Sequence, residues 1–188
     1  MSEAVEMLFL TGEEKMEKAI AQLKREFSTV RTGRANPGIL DKVVVDYYGA
    51  PTPLRQMSQV TVQDGTTLVI TPYDKTILKD IEKAIIKAEL GISPNSDGIC
   101  IRLAFPPLTE ERRRDIVKDV KKMGEDAKIA VRNIRRDMAD DLKKAEKADN
   151  LPEDMVKDNQ DKIQKVTDKF TKLVDSLVSD KEKEVMTV

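Results

Sequence analysis

The chain has 188 residues, enough for one large domain or two small ones, and 36% charged but only 4% aromatic residues suit long solvated helices better than a broad enzyme core. Histidine is absent and cysteine occurs once, which removes Ser-His-Asp and Cys-His catalysis, the commonest metal ligand, internal disulfides and paired-cysteine metal sites. The formal net charge is -1, so affinity for nucleic acid would have to come from local segregation of charge.

No apolar run approaches the ~18 residues of a membrane span. Met7-Leu8-Phe9-Leu10 is too short for a signal-peptide core, so the chain reads as soluble and intracellular. Residues 13–31 then carry a helical stripe, in which Met16, Ile20, Leu23, Phe27 and Val30 recur at alternating steps of four and three. Gly33, Pro37 and Gly38 end it.

Residues 39–105 have a different texture. Val43-Val44-Val45-Asp46-Tyr47-Tyr48 favours a strand, and Gly49-Ala50-Pro51-Thr52-Pro53 a turn or sheet edge. Val60-Thr61-Val62 and Thr67-Leu68-Val69-Ile70-Thr71 flank Asp64-Gly65, a hairpin signal. Asp74 is placed to cap a helix with Ile77, Ile81, Ile85 and Ala88 on one side, closed by Gly91. After the turn cluster of residues 93–98, Ile99, Ile101 and Leu103 alternate as one strand face, with Cys100 a structural thiol between them. This is a small α+β unit with its own core.

Pro106-Pro107 stiffens the next junction, and Thr109 is a good cap for a long proline-free helix. Its apolar positions are Ile116, Val120, Met123, Ala127, Ile134 and Met138, with Ala130 and Val131 bridging the gap. Asn150-Leu151-Pro152 breaks it, with the proline near the first position of a last helix. There Ile163, Val166, Phe170, Leu173 and Leu177 repeat the seam spacing. Three helices with narrow seams should pack as a bundle, interrupted by the α+β unit. The two crossings, at Gly33-Arg34 and Pro106-Pro107, are expected to form a hinge.

On the long helix, Arg132, Arg135 and Arg136 share one face. Lys118, Lys121 and Lys128 lie within about 60° of it. A solvated outer face accounts well for Lys118 and Lys121. On the reading that no acid lies directly above or below the three arginines on that face, an RNA or other phosphate ligand is favoured over salt bridges to neighbouring helices. Arg31-Thr32-Gly33-Arg34 is a second basic cluster, equally open to a role at a helix C-terminus. No phosphate loop is present, and Asp140-Asp141 diverge on a helix, so neither phosphoryl transfer nor a metal pair is expected.

Four segments carry a resemblance. Arg31-Thr32-Gly33-Arg34-Ala35-Asn36-Pro37, Tyr47-Tyr48-Gly49-Ala50-Pro51-Thr52-Pro53-Leu54, Pro106-Pro107-Leu108-Thr109-Glu110-Glu111-Arg112-Arg113 and Val131-Arg132-Asn133-Ile134-Arg135-Arg136-Asp137 together resemble the ribosome-recycling factors, over about Glu13 to Met186. The resemblance implies an L-shaped α+β protein. Residues 1–33 and 107–188 would form a three-helix bundle, and residues 34–106 an inserted β/α/β domain between its first and second helices. It also implies a monomer that binds the large ribosomal subunit after termination and, with elongation factor G and GTP, separates the subunits without being an enzyme or holding a cofactor. By the same resemblance Arg132, Arg135, Arg136, Arg31 and Lys128 are the rRNA-binding residues, and Gly33, Arg34, Pro106 and Pro107 the hinge. The location implied is the bacterial cytoplasm, or, for a processed form, the chloroplast stroma or mitochondrial matrix. A coiled-coil adaptor or chaperone that binds protein partners is the alternative reading. The apolar Met7–Leu10 replaces the polar start such a first helix should have, so it is expected to fray or be removed by processing.

Overall fold

The structure, a computed structural model, describes residues 2–187. In chain order its elements are helix α1 (Glu3–Ser28), a 3-10 turn (Pro37–Lys42), strands β1 (Val44–Tyr47) and β2 (Ala50–Pro53), and a helical turn α2 (Leu54–Met57). Strands β3 (Ser58–Gln63) and β4 (Thr67–Pro72), helix α3 (Leu78–Lys87) and strands β5 (Asn95–Ser96) and β6 (Ile101–Ala104) follow. Helices α4 (Glu110–Asp149) and α5 (Glu153–Met186) complete the chain. They form two compact units: residues up to Val30 with Arg114–Thr187, and Arg31–Arg113. The expected α+β class, three helices plus a small antiparallel insertion, is what forms.

In the helical unit, the apolar N-terminus is part of α1, which is helical from Glu3 onward. Ser2 caps α1, its Oγ accepting from the Val5 amide at 3.4 Å, and Glu3 and Glu6 lie in the positive first turn. Val5 and Leu8 are buried and extend the seam through Gly12 to Met16, Ile20, Leu23 and Phe27. Val30, expected as the last seam residue, lies beyond the helix end at Ser28.

Thr109 caps α4 as expected, accepting from the Arg112 amide at 3.1 Å. Forty residues give α4 a length of about 60 Å at ~1.5 Å per residue. Its seam runs through Ile116, Val120, Gly124, Val131, Met138 and Leu142. Met123, Ala127 and Ile134 are half-buried flanks instead. The reason is close approach: the side chain of Val178 occupies the space a Cβ on Gly124 would need, which puts a glycine at the centre of the seam. Asn150 takes the left-handed conformation at φ 50°, and the Leu151 amide reaches back to Glu146 O at 3.2 Å, closing α4. Pro152 sits at the cap position of α5, one residue before the helix begins.

The α5 seam is turned from its expected line. Ile163, Thr167, Phe170 and Val174 are buried, while Val166 and Leu177 are half-buried and Leu173 is 37% exposed. Thr167 is tolerated there because its hydroxyl donates to the Ile163 carbonyl at 2.8 Å.

In the inserted unit, β1 and β2 form a hairpin through Tyr48 and Gly49, both at positive φ. Ala50–Pro53 is thus a strand rather than a bare turn. The Asp64-Gly65 hairpin joins β3 and β4 as expected, again with both residues at positive φ. The larger sheet has the order β3-β4-β6-β5 and is antiparallel throughout. Register pairs Leu68 with Leu103 and Ile70 with Ile101, all fully buried, and Ile81 and Ile85 of α3 belong to the same core. Asp74 caps a 3-10 turn (Lys75–Ile77) that leads into α3, accepting from the Thr76 amide at 3.0 Å. Glu89 takes the left-handed position directly after the Ala88 cap of α3, and Gly91, at φ 77°, is left-handed two residues further on. Ile99 is 61% exposed and precedes β6, so it does not share the buried face of Ile101 and Leu103.

Candidate nucleic-acid interface

Four of the expected basic residues meet in one place. Lys128, Arg132, Arg135 and Arg136 line the α4 wall of a groove whose other wall is α5, with Gln164, Thr167, Asp168, Thr171 and Asp175. The two helices are antiparallel here, since Arg135 faces Gln164 while Lys128 faces Asp175. The expectation of an acid-free arginine face does not hold on α4 itself: Asp140 lies one turn beyond Arg136, though no ion pair forms between them among the described residues, and Glu125 lies beside Lys128. The helix register brings two α5 carboxylates to the same groove as well, so the cluster does not point clear of the bundle.

The four cations are held differently. Lys128 is half-buried, forms an ion pair with Asp175 and approaches Glu125 at 3.6 Å. The hydrogen bond to Asp175 raises its pKa above the ordinary lysine value, outweighing burial. Arg135 is exposed, and its Nη1 donates to Oε1 of Gln164 at 2.6 Å. Gln164 Nε2 in turn donates to Asp168 at 2.8 Å. Arg132 and Arg136 are exposed, and among the described residues they make no hydrogen bond or ion pair. A row of guanidiniums with unused donors can take phosphate oxygens in bidentate fashion.

Sequence reasoning does not find Gln164, Asp168 and Asp175. The i, i+4 spacing of Gln164 and Asp168 is visible, but its link to Arg135 depends on the register between two helices far apart in sequence.

Arg31, Gly33, Arg34, Pro106 and Pro107 belong to the other unit and are not part of this groove. Arg31, Arg34 and both prolines are exposed or half-exposed, beside a buried Thr32. Gly33 has φ 81° and lies against Leu108, so the two crossings run side by side. Both are tied to the β3–β4 turn: the Ala35 amide donates to Gly65 O at 2.9 Å and the Phe105 amide to Thr66 O at 2.8 Å. Among the described residues no group of three or more His, Cys, Asp or Glu could hold a metal ion. No described helix is long and apolar enough to cross a membrane.

A three-helix unit, interrupted by an antiparallel α+β unit and carrying an arginine-lined groove, defines the class of protein. Its family model is that of the ribosome recycling factor, matched over residues 23–186. The chain is 59% identical to the ribosome-recycling factor of Bacillus subtilis (strain 168) over 175 residues, covering 93% of this chain and 95% of the relative. It is also 59% identical to that of Bacillus cereus (strain B4264), covering 95% and 96%. A solution structure of the ribosome recycling factor matches with TM-score 0.82 at 36% identity, over 100% of both chains. A second match has TM-score 0.66 at 42% identity, over 97% of this chain and 99% of the other. It comes from models of the T. thermophilus ribosome recycling factor and the E. coli elongation factor G bound to the E. coli post-termination complex. The chain belongs to the ribosome recycling factor family.

Proposed function

We propose that this chain recycles ribosomes. It docks on the large subunit after termination, and elongation factor G with GTP then drives the subunits apart. The T. thermophilus relative described with elongation factor G on the post-termination complex supports both partners. The chain does no bond-breaking chemistry of its own in this reading, and it works as a monomer in the cytoplasm. Residues 34–106 act as one domain and the segments 1–33 and 107–188 as the other, with Gly33, Arg34, Pro106 and Pro107 as the hinge.

The observation that carries the docking role is the groove. Arg132 and Arg136 present uncompensated guanidiniums beside a tethered Arg135, and rRNA phosphates supply the missing counter-charge. Lys128 binds more weakly, because Asp175 already meets its charge. Arg31 is a further phosphate-binding residue outside the groove.

The test is the double variant Arg132→Ala, Arg135→Ala, titrated against purified large subunits across a salt series. Affinity should fall, and the slope of log affinity against log salt should shallow by about one for each phosphate that is no longer neutralised. Unchanged affinity and slope would remove the groove from the docking site. Polysome breakdown with the cognate translocase reads the whole function, and should slow in the same variant.

A further inference from the structure

Within the groove, Arg135 and Lys128 are both held from α5, but by different chemistry. Lys128 meets a carboxylate, which fixes and neutralises it together. Arg135 meets the uncharged amide of Gln164, which fixes a guanidinium and leaves its charge available. The amide itself has a defined direction. Arginine can only donate and an ionised carboxylate can only accept, so Oε1 must face Arg135 and Nε2 must face Asp168. The i, i+4 spacing of Gln164 and Asp168 on α5 sets that bond up.

Resting on the docking role of Arg135, we propose that Gln164 and Asp168 are positioning residues for RNA binding. Asp168 orients the Gln164 amide, and the amide pre-orders the Arg135 side chain with its charge intact. Pre-ordering removes the cost of immobilising a rotamer-rich side chain when the phosphate arrives. All three side chains are exposed, so substitution leaves the helical core untouched.

The proposal predicts a change of sign that a merely electrostatic or structural role would not give. Asp168 is an acid in a groove that binds a polyanion, so simple electrostatics says that Asp168→Asn strengthens binding. With the relay intact, Asp168→Asn should instead weaken binding to purified large subunits, because a neutral amide accepts less strongly than a carboxylate and can also donate to Oε1 in competition with Arg135. In a Gln164→Leu background, where there is no relay to disturb, the same Asp168→Asn should strengthen it. Gln164→Leu alone should cost about 2- to 10-fold in affinity, the range expected for ordering one such side chain, with the salt slope unchanged. Gln164→Glu should shallow the slope by about one, because a carboxylate now neutralises Arg135.

Arg135→Ala run in parallel separates the two levels of failure. If it leaves affinity and slope unchanged, the docking role of Arg135 falls and this inference falls with it. If it weakens binding while Asp168→Asn strengthens binding in both backgrounds, the positioning role alone is overturned.

Discussion

The two units bury apolar surface in different ways. The inserted unit closes around a compact core, in which Leu68, Ile70, Ile81, Ile85, Ile101 and Leu103 are at most 1% exposed. The helical unit has a seam instead, and its tightest points are glycines: Gly12 under Met138 and Gly124 under Val178. Polar Asn159 and Thr167 lie within the seam as well. A compact core is sensitive to volume removed, and a seam to volume added where helices approach most closely.

The largest effect is therefore expected from Leu103→Ala in the inserted unit. Truncating a fully buried leucine in the core shared by β4 and α3 should cost about 2–5 kcal/mol, a large share of what a small unit possesses. Native-state hydrogen exchange should show β3, β4 and β6 losing protection while the amides of α1, α4 and α5 keep theirs. Parallel loss in both units would show that their cores are not energetically separate.

Glycine substitution sharpens the contrast from the other side. A Cβ on Gly124 falls on the Val178 side chain, a β-branched group with few rotamers to yield into. Overpacking of about 1–3 kcal/mol should outweigh the ~1 kcal/mol that alanine gains over glycine in helix propensity. A Cβ on Gly12 falls on Met138, whose thioether chain can turn aside. Denaturant unfolding should then find Gly124→Ala clearly destabilised and Gly12→Ala close to wild type. Equal losses would mean that Met138 is as rigidly held as Val178.

The same contrast explains what is legible in the sequence. Hairpin turns at Asp64-Gly65, the Thr109 cap and the alternation of Ile101 and Leu103 are local signals, and each appears in the structure. Seam positions are not local. Gly124 and Thr167 carry no hydrophobic mark, yet both lie on the centreline, because a missing side chain admits a partner and a hydroxyl can bond within its own helix. The apolar pattern therefore drifts to their neighbours, Met123 and Val166. The arginines are visible as one face of α4, but the acids and amide opposite them are not, since the pairing of α4 with α5 depends on register. Met7–Leu10 misleads for a related reason: Val5 and Leu8 continue a stripe that only the packed helix reveals.

The smallest effects are expected at opposite ends of the pH scale. In the inserted unit, Asp97 accepts from the Cys100 amide at 2.8 Å, the Ile99 amide at 2.9 Å and the Cys100 thiol at 3.3 Å. These bonds, the Cys100 amide foremost and Arg102 adding a little, lower its pKa from 3.8 to about 2. A depressed carboxylate pKa means that its contribution is complete above the unfolded value and is lost as pH falls through about 2. In the helical unit the sign reverses. Lys128 has its pKa raised by Asp175, so its contribution is complete below the ordinary lysine value of 10.5 and is lost as pH rises through the elevated one. Amide resonances followed across pH should show Ile99 and Cys100 titrating together near pH 2, and Asp97→Asn should flatten that profile while leaving the alkaline response of α4 unchanged. An Ile99 and Cys100 midpoint at the ordinary aspartate value would mean that the three bonds to Asp97 do not persist in solution, and the acid response would then have to be sought outside this loop.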